Sequence, residues 1–139
     1  MKKIRTFVDS NVLIAAATGK GKHALHALTI LSDPTREFAS SPFVRLEVLP
    51  KAIYHQQALE AAFYERFFAA VEMMYEAAEA ESLLVQAEQV GGRFGLNMAD
   101  ALHIAAALAL QAEEFVTAER PTSPFKNVIG IKITTIFTP

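Results

Sequence analysis

Short, apolar, β-rich segments alternate with helix-like segments along this chain, and this alternation constrains its fold more than any other feature. Strands are predicted for KIRTFVD near the N-terminus, for REFASS, VEMMYEA and EFVTAE further along, and for KITTI near the end. Parallel strands need a crossover connection, usually a helix, whereas antiparallel strands can be joined by a tight hairpin. The pattern therefore predicts βαβ units and a mostly parallel sheet of about five strands in an α/β fold.

Local signals predict where several helices begin and end. Ser41, followed by proline, is placed to cap a helix that is expected to bend at Pro50. A later helix over about residues 79–92 is predicted to end at Gly91–Gly92, because glycine is common just past the end of a helix. Asn97 is predicted to cap the next helix, NMADALHIAAALALQA.

Length and composition limit the class of protein. With 139 residues the chain is expected to form a single domain over 1–139. It has no cysteine, which excludes disulfides and thiolate metal sites and suits a reducing cytoplasm. Asp9 and Asn11 interrupt the apolar N-terminal stretch, so no signal peptide is predicted. No run approaches the roughly 18 apolar residues that a membrane span needs. The net charge of −2 argues against a protein that grips long duplex DNA by charge alone.

Two acidic residues follow predicted strands. Asp9 comes after IRTFV and Glu119 after EFVTA, and ligands of open parallel sheets bind beyond the carboxyl ends of the strands. Each acid also has a structural interpretation that the residues alone leave open. Asp9 could simply cap the following helix, and Glu119 could be a solvated turn acid beside Arg120.

Two further acids lie near predicted helix starts. Asp100 falls in the first turn of a predicted helix. An acid there stabilises the helix by interacting with its dipole, so the position does not by itself require a catalytic role. Glu47 lies beyond the first turn, close to Phe43 and Leu46, so capping does not explain it. An acid on an apolar stripe must be paired, protonated or bound to a metal, and a basic partner such as Arg93 is the structural alternative. Several converging carboxylates without thiols suit a hard divalent cation such as Mg²⁺.

Four sequence blocks, in order, resemble the motif blocks of PIN domains and more closely those of VapC-like toxin nucleases. The blocks are VDSNVLI, RLEV, NMADALHIAAA and FVTAE, and the likeness covers nearly the whole chain. The resemblance implies a three-layer α/β/α sandwich, a homodimer, and often an antitoxin partner. It also implies an endoribonuclease that uses Mg²⁺, with Mn²⁺ as a substitute, to cleave RNA phosphodiesters by metal-activated water.

The resemblance also implies site residues. The catalytic and metal-binding acids map onto Asp9, Glu47, Asp100 and Glu119. Asn11 matches a polar residue that supports the first acid, and Thr117 matches a Ser or Thr found shortly before the fourth. The fourth acid of the family is usually Asp, so Glu119 is a departure that shifts its carboxylate by one methylene.

Two rival functions compete with the nuclease. One is a PIN-fold binding module with weak or lost activity, which Glu119 favours. The presence of Asp9, Glu47 and Asp100 argues against it, because buried acids without a ligand are costly in stability. A phosphotransferase with an aspartate nucleophile, as in haloacid-dehalogenase-like enzymes, would carry a second Asp where this chain has Asn11.

Basic and aromatic residues near the motifs are candidate contact residues. The candidates for RNA contact are Lys20, Lys22, Arg45, Arg93 and Arg120, each of which could equally be a solvated surface charge. The two lysines lie on the glycine-rich loop GKGK, the kind of loop that closes over substrates. His103 is interpreted as a packed core histidine or one that supports the site.

The segment AAFYERFFAAVEMMY carries aromatic residues on two sides of one predicted helix. One side is expected to pack inward, and the other to meet a dimer mate or an antitoxin, unless the helix is simply well buried.

Overall fold

The computed structural model describes residues 2–139 and contains a sheet whose neighbouring strands are all parallel. The strands are β1 (Ile4–Val8), β2 (Arg36–Ser40), β3 (Met73–Met74), β4 (Glu114–Thr117) and β5 (Lys132–Thr135). They lie in the order β3-β2-β1-β4-β5. The predicted parallel sheet of five strands is confirmed.

Six α-helices in the described part of the chain cover the two faces of this sheet. They are α1 (Ser10–Thr18), α2 (His23–Leu31), α3 (Pro42–Tyr54), α4 (Ala58–Ala70), α5 (Ala80–Phe94) and α6 (Met98–Ala109). Helices α1, α2 and α4 pack on one face, and α5 and α6 pack together on the other. The result is the predicted three-layer α/β/α sandwich. None of the helices within residues 2–139 is long and apolar enough to cross a membrane.

The predicted third strand is much shorter than expected. Only Met73–Met74 of VEMMYEA pairs with β2, through Ala39 and Ser40. Because β2 ends at Ser40, no neighbouring backbone continues beside the rest of that segment. The segment therefore leaves the sheet and leads into a short 3₁₀ turn, Ala77–Glu79.

Two helix starts agree with the predicted caps. The Ser41 hydroxyl accepts hydrogen bonds from the Phe43 and Val44 backbone N–H groups, and the Asn97 side chain accepts one from Asp100 N–H at 2.9 Å. Helix α3 continues through Pro50 as far as Tyr54.

The predicted end of α5 at Gly91–Gly92 is wrong. The helix runs on to Phe94, and Gly95 terminates it with a left-handed φ of 74°. A Cβ on Gly91 would meet the Ala101 Cβ at 3.3 Å, so this glycine allows close packing against α6 instead of ending the helix.

Helix α4 buries one of its two aromatic pairs. Tyr64 and Phe68 are buried in the core, whereas Phe63 and Phe67 are half-buried. The prediction that one side of α4 packs inward is confirmed. The other side borders an apolar groove of about 380 Å³ between α2 and α4, called the α2–α4 groove below, whose further lining includes Leu28, Leu31 and Phe38.

The strand order contains a switch point between β1 and β4. The chain builds β1, β2 and β3 outward in one direction, and then places β4 and β5 on the other side of β1. At such a point the connecting loops part to opposite faces and leave a crevice beyond the carboxyl ends of the strands. The fold therefore predicts a ligand site next to the ends of β1 and β4.

Candidate active site

The four predicted acids come together at this edge of the sheet. Asp9 follows β1 and Glu119 lies beyond β4, while Glu47 and Asp100 belong to α3 and α6. Helix α3 begins where β2 ends, and α6 runs back toward the start of β4, so both helix N-termini lie at the carboxyl edge. The negative charges of Asp9, Glu47 and Glu119 each interact with that of Asp100. The structure thus gathers these residues, and their catalytic role stays a prediction.

Asp9 is a carboxylate buried to 4% exposure. Its Oδ1 accepts a hydrogen bond from Ser10 N–H, and its Oδ2 accepts one from the Thr117 hydroxyl, both at 2.8 Å. A carboxylate offers about four lone-pair positions, so roughly two are left without a protein donor. Burial raises the pKa of Asp9 to about 6 and Asp100 adds to the rise, although His103 and the two hydrogen bonds oppose it. Asp9 does cap α1, but capping does not require this depth of burial.

Glu47 is held through one of its two oxygens. Its Oε1 accepts hydrogen bonds from the Ser10 hydroxyl at 2.6 Å and from His103 Nε2. The bond from His103 lowers the pKa of Glu47, burial opposes this, and the Ser10 bond adds to the lowering. The expected alternative partner, Arg93, instead lies over the Phe94 ring at 5.2 Å.

His103 is the buried histidine that the sequence predicted. It is 1% exposed, and its ring lies 6.4 Å from that of Phe7 on β1. Because an ionised carboxylate can only accept, Nε2 must carry the proton that it shares with Glu47. Its Nδ1 is buried without a partner among the described residues.

Asp100 and Glu119 form the more open side of the site. Burial raises the pKa of Asp100, and the charges of Glu119 and Glu47 add to the rise against the opposing effect of His103. Glu119 is exposed and stands beyond the last residue of β4, Thr117, so the predicted strand EFVTAE is two residues too long. The Glu119 N–H donates to the Thr117 hydroxyl at 3.1 Å, which fixes its backbone beside the site.

Asn11 and Thr117 tie α1 to the end of β4. The Asn11 side-chain oxygen accepts a hydrogen bond from Ala118 N–H at 2.9 Å. The Thr117 hydroxyl donates to Asp9 and accepts from Glu119 N–H. Both residues therefore stabilise the backbone that carries Asp9 and Glu119.

The two loop lysines lie away from the acids. They follow α1, whose nine residues span roughly 14 Å from the site. Lys22 Nζ donates to the Pro139 carbonyl at 2.8 Å, and exposed Lys20 borders a polar groove with Lys51 and His55.

The three arginines all engage neighbouring side chains. Arg45 pairs with Glu65 at 2.6 Å, and Arg120 lies over the Phe137 ring at 5.0 Å, much as Arg93 lies over Phe94. None of the five predicted basic residues shifts the pKa of Asp9, Glu47 or Asp100. Their contact with RNA stays a prediction.

The donor set fits a hard divalent cation bound with water. No group of three His, Asp or Glu side chains in residues 2–139 is already arranged as a metal cage. Mg²⁺ does not require such a cage, because it is usually held by one or two carboxylates together with waters and substrate phosphates. Asp9 and Asp100 carry the carboxylate oxygens that such an ion prefers, and the chain has no thiolate to favour a softer metal.

Comparison with known proteins agrees with this architecture. Residues 6–122 match the PIN domain model. The fold is similar to VapBC2 from Rickettsia felis bound to a DNA fragment from its promoter, with a TM-score of 0.69 and 14% identity over 95% of this chain and 98% of that one. A toxin–antitoxin complex from Klebsiella pneumoniae has a TM-score of 0.69 and 18% identity, again over 95% of this chain and 98% of that one.

A third similar structure is described as that of a toxin. It is VapC20 from Mycobacterium tuberculosis, a sarcin-ricin loop cleaving toxin, with a TM-score of 0.59 and 20% identity over 79% of this chain and 86% of that one. No curated protein matches the chain. Identities this low establish the fold alone, whereas the family model spans most of the sequence. The chain therefore belongs to the PIN domain family and has the fold of VapC toxins.

Proposed function

We propose that the protein is a metal-dependent endoribonuclease and the toxin of a toxin–antitoxin pair. The observation that carries the proposal is the group of four carboxylates at the switch point, three of which have no Lys or Arg acting on their pKa. Burying an acid such as Asp9 without a cation is costly. Strongly perturbed carboxylates in a crevice are typical of functional sites.

Asp9 and Asp100 would hold the metal, with Glu47 and Glu119 acting directly or through water. When bound, Mg²⁺ or Mn²⁺ lowers the pKa of a coordinated water and neutralises charge on a phosphodiester during in-line displacement. Thr117 and Ser10 N–H orient the Asp9 oxygens.

RNA is the substrate class that the family supports. VapC20, which shares this fold, is described as cleaving the sarcin-ricin loop. The chain's own net charge of −2 favours a substrate gripped at a few phosphates and at the metal over one held along a broad basic face.

The partner that best fits the chain is a cognate antitoxin. Both the Rickettsia and the Klebsiella structures are toxin–antitoxin complexes. The α2–α4 groove offers this chain's own apolar surface for such a partner, with Phe63 and Phe67 on one side and Leu28 on the other. We expect Leu28→Glu to abolish co-purification with the product of the adjacent reading frame. Leu59→Glu, on exposed α4 surface, should leave co-purification intact.

Cleavage of a structured RNA pool tests the nuclease. The protein is incubated with Mg²⁺, with Mn²⁺ and with EDTA, beside the variants Asp9→Asn and Asp100→Asn. Glu81→Gln, an exposed acid on α5, is the matched control. We expect metal-dependent cleavage that falls by orders of magnitude in the two site variants and is unchanged in the control. Near-wild-type cleavage by Asp100→Asn in a clean preparation would overturn the assigned roles.

An inactive binding module is the second candidate, and two observations favour it. Glu119 is exposed where the family usually has Asp, and within residues 2–139 no three His, Asp or Glu side chains are already arranged as a metal cage. Such a module should gain little thermal stability from Mn²⁺. A rise in Tm with Mn²⁺ that Asp9→Asn abolishes would exclude it.

A further inference from the structure

Two buried donors from different helices converge on a single oxygen of Glu47. The Ser10 hydroxyl lies 2.6 Å from Oε1, and His103 Nε2 contacts the same atom. Ser10 begins α1, His103 lies in α6, and Glu47 projects from α3, which packs against both helices. Both donors are buried, whereas 42% of the Glu47 side chain is exposed. A glutamate that is partly exposed to solvent is therefore held by two buried groups.

The three side chains do not form a nucleophilic triad. In such a triad the histidine accepts from the serine with one ring nitrogen and donates to the acid with the other. Here the hydroxyl and the ring both donate to Oε1, and Ser10 Oγ and His103 Nε2 are 3.5 Å apart. The other ring nitrogen, Nδ1, has no hydrogen-bond partner within residues 2–139. The arrangement orients the carboxylate and does not activate the hydroxyl.

The anchoring leaves the second Glu47 oxygen available. Oε2 accepts no hydrogen bond from the described residues, and the Glu47 charge acts on Asp100. A glutamate has several rotatable bonds, and fixing them in advance removes an entropic cost from any later binding step. Partners that orient a metal ligand typically contribute 10–100-fold to metal affinity.

We propose that Ser10 and His103 are positioning residues that clamp Glu47 Oε1 and present Oε2 to a divalent cation or to one of its waters. This inference rests on the proposed metal-dependent function. It assigns a role to Ser10 and a specific one to His103, and it makes the contribution of Glu47 to metal binding depend on both.

The test is Mn²⁺ affinity, measured by titration calorimetry without RNA. The variants are Ser10→Ala, His103→Leu and His103→Gln, each made with Glu47 intact and with Glu47→Gln. Ser82→Ala, on the exposed side of α5, is the control. We expect Ser10→Ala and His103→Leu to weaken Mn²⁺ binding by about 10–100-fold. His103→Gln keeps an N–H donor at a similar reach and should recover most of the affinity.

The Glu47→Gln background separates positioning from general damage. Both effects should largely vanish there, because the group through which they act is already lost. Equal weakening in both backgrounds would overturn the inference, as would wild-type affinity in both single variants. If the wild type binds Mn²⁺ and only the clamp fails, the proposed function stands. If the wild type binds no Mn²⁺, both the proposed function and the positioning role of Ser10 and His103 are wrong. Should His103→Leu fail to fold, Ser10→Ala decides.

Discussion

Two buried carboxylates lie at opposite ends of the same sheet in different surroundings. Glu114, at the start of β4, accepts hydrogen bonds from Arg36 at 2.8 Å, Thr134 at 2.6 Å and Thr6 at 3.0 Å. Burial acts to raise its pKa, yet these partners together hold it below the usual value. No Lys or Arg in the described part of the chain lowers the pKa of Asp9, which burial raises to about 6 against the opposing effect of His103. The charge of Glu114 is compensated by its partners in the fold, whereas the charge of Asp9 lowers the stability of the fold.

Asp9→Asn should stabilise the metal-free protein at pH 7. The pKa of Asp9 is raised on folding from 3.8 to about 6, so the folded state binds more protons between these values. Stability is therefore lost as pH rises through that window. At 1.36 kcal/mol per unit, the loss is about 3 kcal/mol at neutral pH. We expect the variant to recover about 1–3 kcal/mol in EDTA.

Urea unfolding of wild type and variant from pH 4 to 8 measures this effect. The difference should disappear near pH 4, where Asp9 is protonated and resembles asparagine. Exposed Glu81→Gln should show no such trend. A variant that is less stable than wild type at pH 7 would show that the charge of Asp9 does not strain the fold.

At the scale of elements, the Glu114 cluster joins four strands. Thr6, Arg36, Glu114 and Thr134 belong to β1, β2, β4 and β5. Removing one partner of a buried ion pair typically costs 3–5 kcal/mol because the other charge is left uncompensated. We expect Glu114→Ala to lower the free energy of unfolding by about that amount. Mn²⁺ affinity should be unchanged, since the cluster lies at the edge away from the site; a large loss of affinity would contradict this separation.

The paired glycines of α5 provide a matched test of helix packing. Neither has a positive φ, but a Cβ on Gly91 would press on Ala101 of α6, whereas one on Gly92 meets nothing within 4 Å. Gly92→Ala should raise the free energy of unfolding by about 0.5–1 kcal/mol, the helix-interior preference for alanine. Gly91→Ala should not raise the free energy of unfolding, because its Cβ would crowd Ala101. Thermal unfolding decides, and equal stabilisation by both would mean that the helices can move apart.

At the scale of the whole molecule, the expected homodimer is still a prediction. Helix α3 exposes Leu46 by 66% and Ile53 by 61%, two positions seven residues apart on one face beside Glu47. Apolar groups of this size in a row are typical of association surfaces. We expect a dimer by light scattering, which Ile53→Glu converts to monomer while Leu25→Glu on α2 does not. A wild-type monomer at high micromolar concentration would contradict it.

The errors of the sequence reasoning have a common origin in packing. Glu47 was expected to share an apolar stripe with Leu46, but Leu46 faces solvent and the partners of Glu47 come from α1 and α6. Gly91 was interpreted as a stop signal because its contact with Ala101 is invisible along the chain. The contact of Ser10 with Glu47 is not among the predictions, although a hydroxyl directly after a candidate acid is a signal for it.

The amino-acid sequence by itself determined the features that depend on near neighbours. Apolar β-rich runs specify the strands, Ser41 and Asn97 cap their helices through residues within one turn, and the lack of cysteine excludes thiolate ligands for any metal. Tertiary structure alone decided the strand order, which sets Thr117 against Asp9 across 108 positions. It also decided how deeply Asp9 is buried and which donors clamp Glu47. Desolvation and long-range contact arise only when distant segments pack, so no local pattern encodes them.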